Sequence, residues 1–136
     1  QVMDLHTNIF CQMVLAQYLQ DNDLDAHMTK IKNLYQHQAD VMMDCIARYM
    51  PEGVRYTKPE GGMFMWLELP EGYDAEALFV PVFAENIAFV PGSKFYAGPG
   101  RGKNCMRLNY ATSNEDVIRE KIRRMGQIIS EYPVVK

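Results

Sequence analysis

The chain opens on a run whose apolar positions leave no polar face. Between Thr7 and Gln20, the side chains of Ile9, Phe10, Met13, Val14, Leu15 and Leu19 fall on nearly every side of a helix. A helix that is apolar all round is one that is covered all round, so the pattern predicts a buried first helix. Asp21-Asn22-Asp23 interrupts it, and Asp25 is placed to cap a second helix running to about Met50. In that helix apolar side chains recur at Leu24, Met28, Ile31, Tyr35, Met42, Cys45 and Tyr49, with Gln38 in the gap, in steps of four and three. Gln38, Cys45 and the two tyrosines make a poor coiled-coil seam, which leaves a long amphipathic helix lying on one surface. About 26 helical residues span about 39 Å, more than a small domain needs and enough to reach between two domains.

After Pro51-Glu52-Gly53 the period shortens. Val54–Lys58 and Met63–Leu69 read as two strands around a Pro59-Glu60-Gly61-Gly62 turn. In the second, Phe64, Trp66 and Glu68 alternate against Met63, Met65, Leu67 and Leu69. Both faces are mostly apolar, which predicts a central strand covered on both sides. Pro70-Glu71-Gly72 makes another turn, and Asp74 caps a helix through about Asn86 that Pro81 is expected to kink or split. Ile87–Val90 is a short strand ended by Pro91-Gly92, and a loop rich in Gly, Ser and Pro runs from Ser93 to Lys103. The next strand places Met106, Leu108 and Tyr110 on one face and Cys105, Arg107, Asn109 and Ala111 on the other. Ser113, with Asp116 three residues on, opens a last helix as a capping box does. Val117, Ile118, Ile122, Met125 and Ile129 line its apolar face, and Glu120 is placed to pair with Arg124. The order α-α-β-β-α-β-β-α predicts an α/β (α+β) fold.

Composition narrows the class. A chain of 136 residues is one domain's worth, and 48% hydrophobic with 23% charged residues is an ordinary globular mixture. A net charge of −3 with both signs mixed argues against a nucleic-acid surface. Cys11, Cys45 and Cys105 are odd in number and far apart, and read as buried thiols in a reducing compartment. The longest uncharged run, Thr7 to Gln20, is 14 residues and includes Asn8, Gln12 and Gln17, too short and polar to cross a bilayer. The start at Gln1, followed almost at once by an apolar helix, reads as a piece of a longer protein.

Most familiar chemistry fails on spacing. Gly98-Pro99-Gly100-Arg101-Gly102-Lys103 is not a phosphate loop, because Ala97 stands where the first glycine belongs and Asn104 where Ser or Thr would bind magnesium. It reads as a flexible surface loop. His6, His27 and His37 lack partners at metal-ligand spacing, and Ser93 lies outside any Gly-x-Ser-x-Gly context. Arg107 has no acid on its own strand. By pattern alone it is either a solvated strand arginine or a receptor for an anion, since a guanidinium fork matches a carboxylate with two parallel hydrogen bonds. Asn109, two residues on, shares its face and extends a polar wall.

The run Ile87-Ala-Phe-Val-Pro-Gly-Ser-Lys-Phe-Tyr96, then Met106-Arg-Leu-Asn-Tyr-Ala111, then a capped helix, resembles the C-terminal part of fold-type-I, class I/II, pyridoxal-phosphate (PLP)-dependent aminotransferases. Gly61-Gly62-Met63-Phe64-Met65-Trp66-Leu67 followed by Leu69-Pro70 is similar to the small-domain hairpin of that family. Asp4-Leu-His-Thr-Asn8 with Gln12, and the Leu24-Asp-Ala-His27 helix start, resemble its connecting helices, most closely in the broad-specificity 2-aminoadipate/aromatic subfamily. The resemblance implies connecting helices over 1–50 and a small domain over 51–136, with a mixed, mostly antiparallel sheet of three to four strands packed against helices. It implies that Arg107 grips the α-carboxylate of an amino acid, that Phe64 lies near the substrate side chain, and that Pro91, Gly92 and the Phe95-Tyr96 loop close over the site. PLP would be held by a lysine in a Ser-x-Ser-Lys context that this chain lacks. The lysine, the aspartate on the ring nitrogen and the phosphate cup are therefore expected before Gln1, and the chain alone is expected neither to bind PLP nor to transaminate. Implied partners are amino acid and 2-oxo acid substrates, the missing large domain and a second subunit in a cytoplasmic homodimer, with no nucleic acid and no membrane. A winged-helix regulator with an aminotransferase-like effector domain, and a PLP lyase of the same fold, are the alternatives.

Overall fold

The computed structural model describes residues 8–133, so Asp4 to Thr7 of the connecting-helix motif lie outside the described residues. The chain forms two compact units, 1–34 and 35–136.

In the first unit, α1 (Ile9–Asp21) starts where Asn8 Oδ1 accepts the Cys11 N–H at 3.2 Å and stops where the Asn22 side chain donates to the Tyr18 carbonyl. The expectation of a buried helix does not hold: α1 has no buried residue, and Phe10 is 73% exposed. Among the described residues the unit holds only α1 and the start of the next helix, so it has no second layer to cover an apolar cylinder. Cys11 is exposed as well, against the expected buried thiol, whereas Cys45 and Cys105 are buried and all three are unpaired.

The helix α2 (Leu24–Tyr49) is one uninterrupted element of 26 residues, as the four-three spacing predicts. Its N-terminal cap is Asp23, whose Oδ1 accepts the Ala26 N–H at 3.0 Å, and not Asp25, which lies one residue inside the helix. Buried residues occur only in its second half, from Gln38 to Ile46.

The second unit is built on an antiparallel sheet of β1 (Arg55–Tyr56), β2 (Phe64–Glu68), β3 (Val90–Pro91) and β4 (Cys105–Asn109), in the order β1-β2-β4-β3. The outer strands are two residues each, shorter than predicted, and β3 takes in Pro91, which was expected to end it. One sheet face carries Met65, Leu67, Leu69, Met106, Leu108 and Tyr110 into a core shared with α2, α3 (Ala75–Phe83) and α4 (Glu115–Glu131). The opposite face is not covered as the apolar count of β2 suggested. Phe64 is 41% exposed and Trp66 half-buried.

Asp74 caps α3 by accepting the Glu76 and Ala77 N–H groups. Pro81 does not split this helix, which runs unbroken from Ala75 to Phe83. It sits two residues before the end, where one missing bond to the Ala77 carbonyl is the whole loss. The cap of α4 is Asn114, whose Oδ1 accepts the Val117 N–H at 3.0 Å, rather than Ser113. The Ser113 carbonyl instead accepts the side-chain amide of the buried Gln38. Along α4, Ile118, Ile122, Met125, Gly126 and Ile129 are buried, while Val117 turns outward. Arg124 pairs with Glu85 of the α3–β3 turn at 2.8 Å and not with Glu120, which lies 3.5 Å from Lys121. At Gly126 a Cβ would run into the Tyr49 carbonyl, so α4 crosses the end of α2 backbone to backbone. No described helix is long and apolar enough to cross a membrane, and among the described residues no cluster of three His, Cys, Asp or Glu is placed for a metal.

Candidate functional site

Arg107 lies at the centre of β4, cross-strand from Trp66 on β2 and Val90 on β3. The β alternation that buries Met106 and Leu108 sends Arg107 to the open face. There its guanidinium carbon lies 4.0 Å from the Phe64 ring centroid and 4.7 Å from the Phe95 ring centroid. Arg107 is half-buried, its Nε is buried with no hydrogen-bond partner, and it has no ion pair among the described residues. The side chain is neither splayed into solvent nor tied to an internal acid. A buried guanidinium nitrogen without an acceptor is costly, and the terminal Nη groups are the ones left for an anion to reach.

The other predicted residues divide. Phe64 is cross-strand from Asn109 and forms one ring of the arginine's seat. Tyr96 does not touch Arg107 through its ring; it packs at an angle on Trp66, 6.2 Å between centroids, with Arg101 stacked over it at 5.0 Å. The Asn109 Oδ1 accepts the Ala111 N–H at 2.8 Å, so it closes the strand end and leaves only its amide N–H groups free. Two contributors were not assigned to the site on their own: Trp66, read only in the alternation of its strand, and Phe95, read only as part of a loop. Trp66 packs edge-on against Phe95 at 5.5 Å, and Phe95 itself reaches the arginine from a short 3-10 turn, Gly92–Phe95.

That turn is seated by close contacts. A Cβ on Gly92 would collide with Cys105 and the Gly102 carbonyl, and one on Gly102, at φ +67°, would strike the Tyr96 ring. The Ser93 hydroxyl and the Lys94 ammonium both donate to Glu76 Oε1, at 2.6 and 2.8 Å. These bonds hold the Glu76 carboxyl below the usual carboxylate range, Lys94 contributing most. A depressed native pKa means that the anchor is complete above the unfolded carboxyl's range and is lost as pH falls through the native value. Trp66 is the only tryptophan, so its fluorescence reports the turn. Glu76→Gln should give at neutral pH the spectrum that the parent chain reaches only in acid; an unchanged spectrum in both would exclude Glu76 as the anchor.

Beside Phe64 and Trp66 the same face opens into a cavity of about 490 Å³ that also meets Thr57, Lys58 and Glu60. A fixed fork with an apolar floor beside it suits a small carboxylate that carries a side chain.

The family model for aminotransferase class I and II matches residues 4–125. The chain belongs to the class I and II aminotransferases. It is 42% identical over 131 residues to aromatic-amino-acid aminotransferase 1 of Thermococcus litoralis, covering 96% of this chain and 31% of that protein. It is 41% identical to the 2-aminoadipate transaminase of Thermus thermophilus, covering 95% and 32%. The crystal structure of LysN, the α-aminoadipate aminotransferase of Thermus thermophilus complexed with N-(5'-phosphopyridoxyl)-L-leucine, superposes with a TM-score of 0.82 at 41% identity, covering 96% of this chain and 33% of that one. This aminotransferase chain thus spans about a third of the length of the curated relatives it matches. Its open face offers one guanidinium seated on two rings, a group whose chemistry suits a carboxylate. The rings in contact with Arg107, Phe64 and Phe95, offer no amine for an aldehyde and no cation for a phosphate; Arg101 over Tyr96 and Lys58 at the cavity are further cations of this face, and Lys94 is paired with Glu76.

Proposed function

We propose that this chain is the carboxylate-binding and closing portion of a PLP-dependent aminotransferase. The whole enzyme moves an amino group from an aromatic, 2-aminoadipate-type or branched amino acid to a 2-oxo acid. The observation that carries the reading is Arg107, half-buried over two rings with an unpaired buried Nε and no acid beside it. Its fork holds the α-carboxylate and so fixes the direction of the Cα–H bond relative to the rest of the molecule. Phe64 and Trp66 floor the place of the substrate side chain, and the Phe95-Tyr96 segment excludes water, which strengthens the Arg107–carboxylate pair. PLP, held elsewhere in the enzyme, supplies the electron sink. Residues 1–50 serve as connecting helices and 51–136 as the small domain of a cytoplasmic homodimer, with the exposed apolar α1 covered by the rest of the enzyme.

Two measurements test this reading. The complete protein should remove amino groups only when a 2-oxo acid is present, with no elimination product. The isolated chain mixed with PLP should show neither an internal-aldimine absorbance band nor turnover. An eliminated product from the whole protein, or a band from the chain alone, would sink it.

A further inference from the structure

We propose that Phe95 is a positioning residue for Arg107, so that seating of the Gly92–Phe95 turn sets the strength of carboxylate binding. The inference rests on the reading of Arg107 as the carboxylate receptor. It begins with the origin of the two rings that meet the guanidinium. Phe64 belongs to β2 and is fixed by the sheet register. Phe95 belongs to a turn that makes no strand pairing of its own and is 45% exposed. The turn is held by the close approach of Gly92 to Cys105, by the Glu76 bonds to Ser93 and Lys94, and by the edge-on contact of Phe95 with Trp66.

A guanidinium carries its N–H groups in its plane, while its faces are weakly hydrated and stack on aromatic rings. With rings 4.0 and 4.7 Å from the guanidinium carbon, fewer directions are left for hydrogen bonding, which favours a planar acceptor with two oxygens. Removing Phe95 frees the arginine to rotate and to be hydrated. The bound carboxylate then has to order the side chain again, and that cost appears as weaker binding.

The test uses the complete PLP-loaded enzyme and one non-reacting probe, 3-phenylpropionate, a carboxylate without an amine, with its neutral amide as control. Phe95→Leu should weaken 3-phenylpropionate binding, measured calorimetrically, and raise the amino acid KM, each about tenfold as expected for a partly desolvated cation–π contact. The affinity for the amide should fall far less than that for the carboxylate. Phe95→Tyr, which keeps the ring, should restore both values. In the Arg107→Ala background, Phe95→Leu should cost nothing more. Equal losses for the carboxylate and the amide, an equal further loss in the Arg107→Ala background, or no loss at all would overturn the role of Phe95. If Arg107→Ala itself leaves carboxylate binding intact, the receptor reading fails first, and the outcomes are distinguishable.

Discussion

Arg107→Ala in the complete enzyme should raise the amino acid KM and lower kcat/KM by the equivalent of about 2–5 kcal/mol, the range for removing one partner of a desolvated, hydrogen-bonded charge pair. The upper part of that range applies if closure dries the site, because the substrate carboxylate is then left buried with no cation. Arg107→Lys should recover only part of the loss, since an ammonium supplies a point charge without the two-pronged fork. Neither variant should alter PLP absorbance, because none of the residues seating Arg107 can hold the cofactor. Steady-state kinetics with a spectrum of the resting enzyme decide the matter, and wild-type KM in Arg107→Ala would reject the receptor assignment.

Leu67→Ala should destabilise the 35–136 unit by about 2–5 kcal/mol, a large share of the roughly 5–15 kcal/mol that holds a domain together. Leu67 is fully buried on β2, between Tyr56 and Met106 in the sheet register, and belongs to the single core cluster. Its loss leaves a cavity that the flanking strands cannot close without breaking pairing. Denaturant titration followed by Trp66 fluorescence reads this unit alone, and the midpoint should fall with an unchanged slope. Phe64→Ala is the control from the same strand. Facing the other way and 41% exposed, it should cost far less stability while still weakening carboxylate binding. If the two variants were equally unstable, the assignment of one buried and one open face to β2 would be wrong.

The alternation of β4 was legible from Asn104 to Ala111, since a period of two survives any tertiary context. The order of elements and the place of Arg107 followed from it. What the pattern misjudged shares one cause. Apolar content says that a surface seeks cover; it does not say that the cover lies in the same chain. Hence α1 was expected to be buried and is exposed, and the Phe64-Trp66 face was expected to be covered and is open. The caps slipped by one or two residues, to Asp23 and Asn114, because neighbouring Asp, Ser and Asn side chains compete for the same first-turn N–H groups. Phe95 was visible only as part of a closing loop. Its contact with Arg107 joins residues twelve positions apart across a glycine-bearing segment, and no periodicity spans such a turn. The family resemblance suggested a role for Arg107, but only coordinates revealed the unpaired Nε.

The glycine at 126 has a bearing on recombination between relatives. With no side chain separating α4 from the Tyr49 carbonyl, the two helix backbones fix each other's register, and neither can slide or be exchanged alone. A chimera with a crossover anywhere between Tyr49 and Gly126 would join halves from different parents at that contact. It would fold well only if the donor of the second half also carried glycine there.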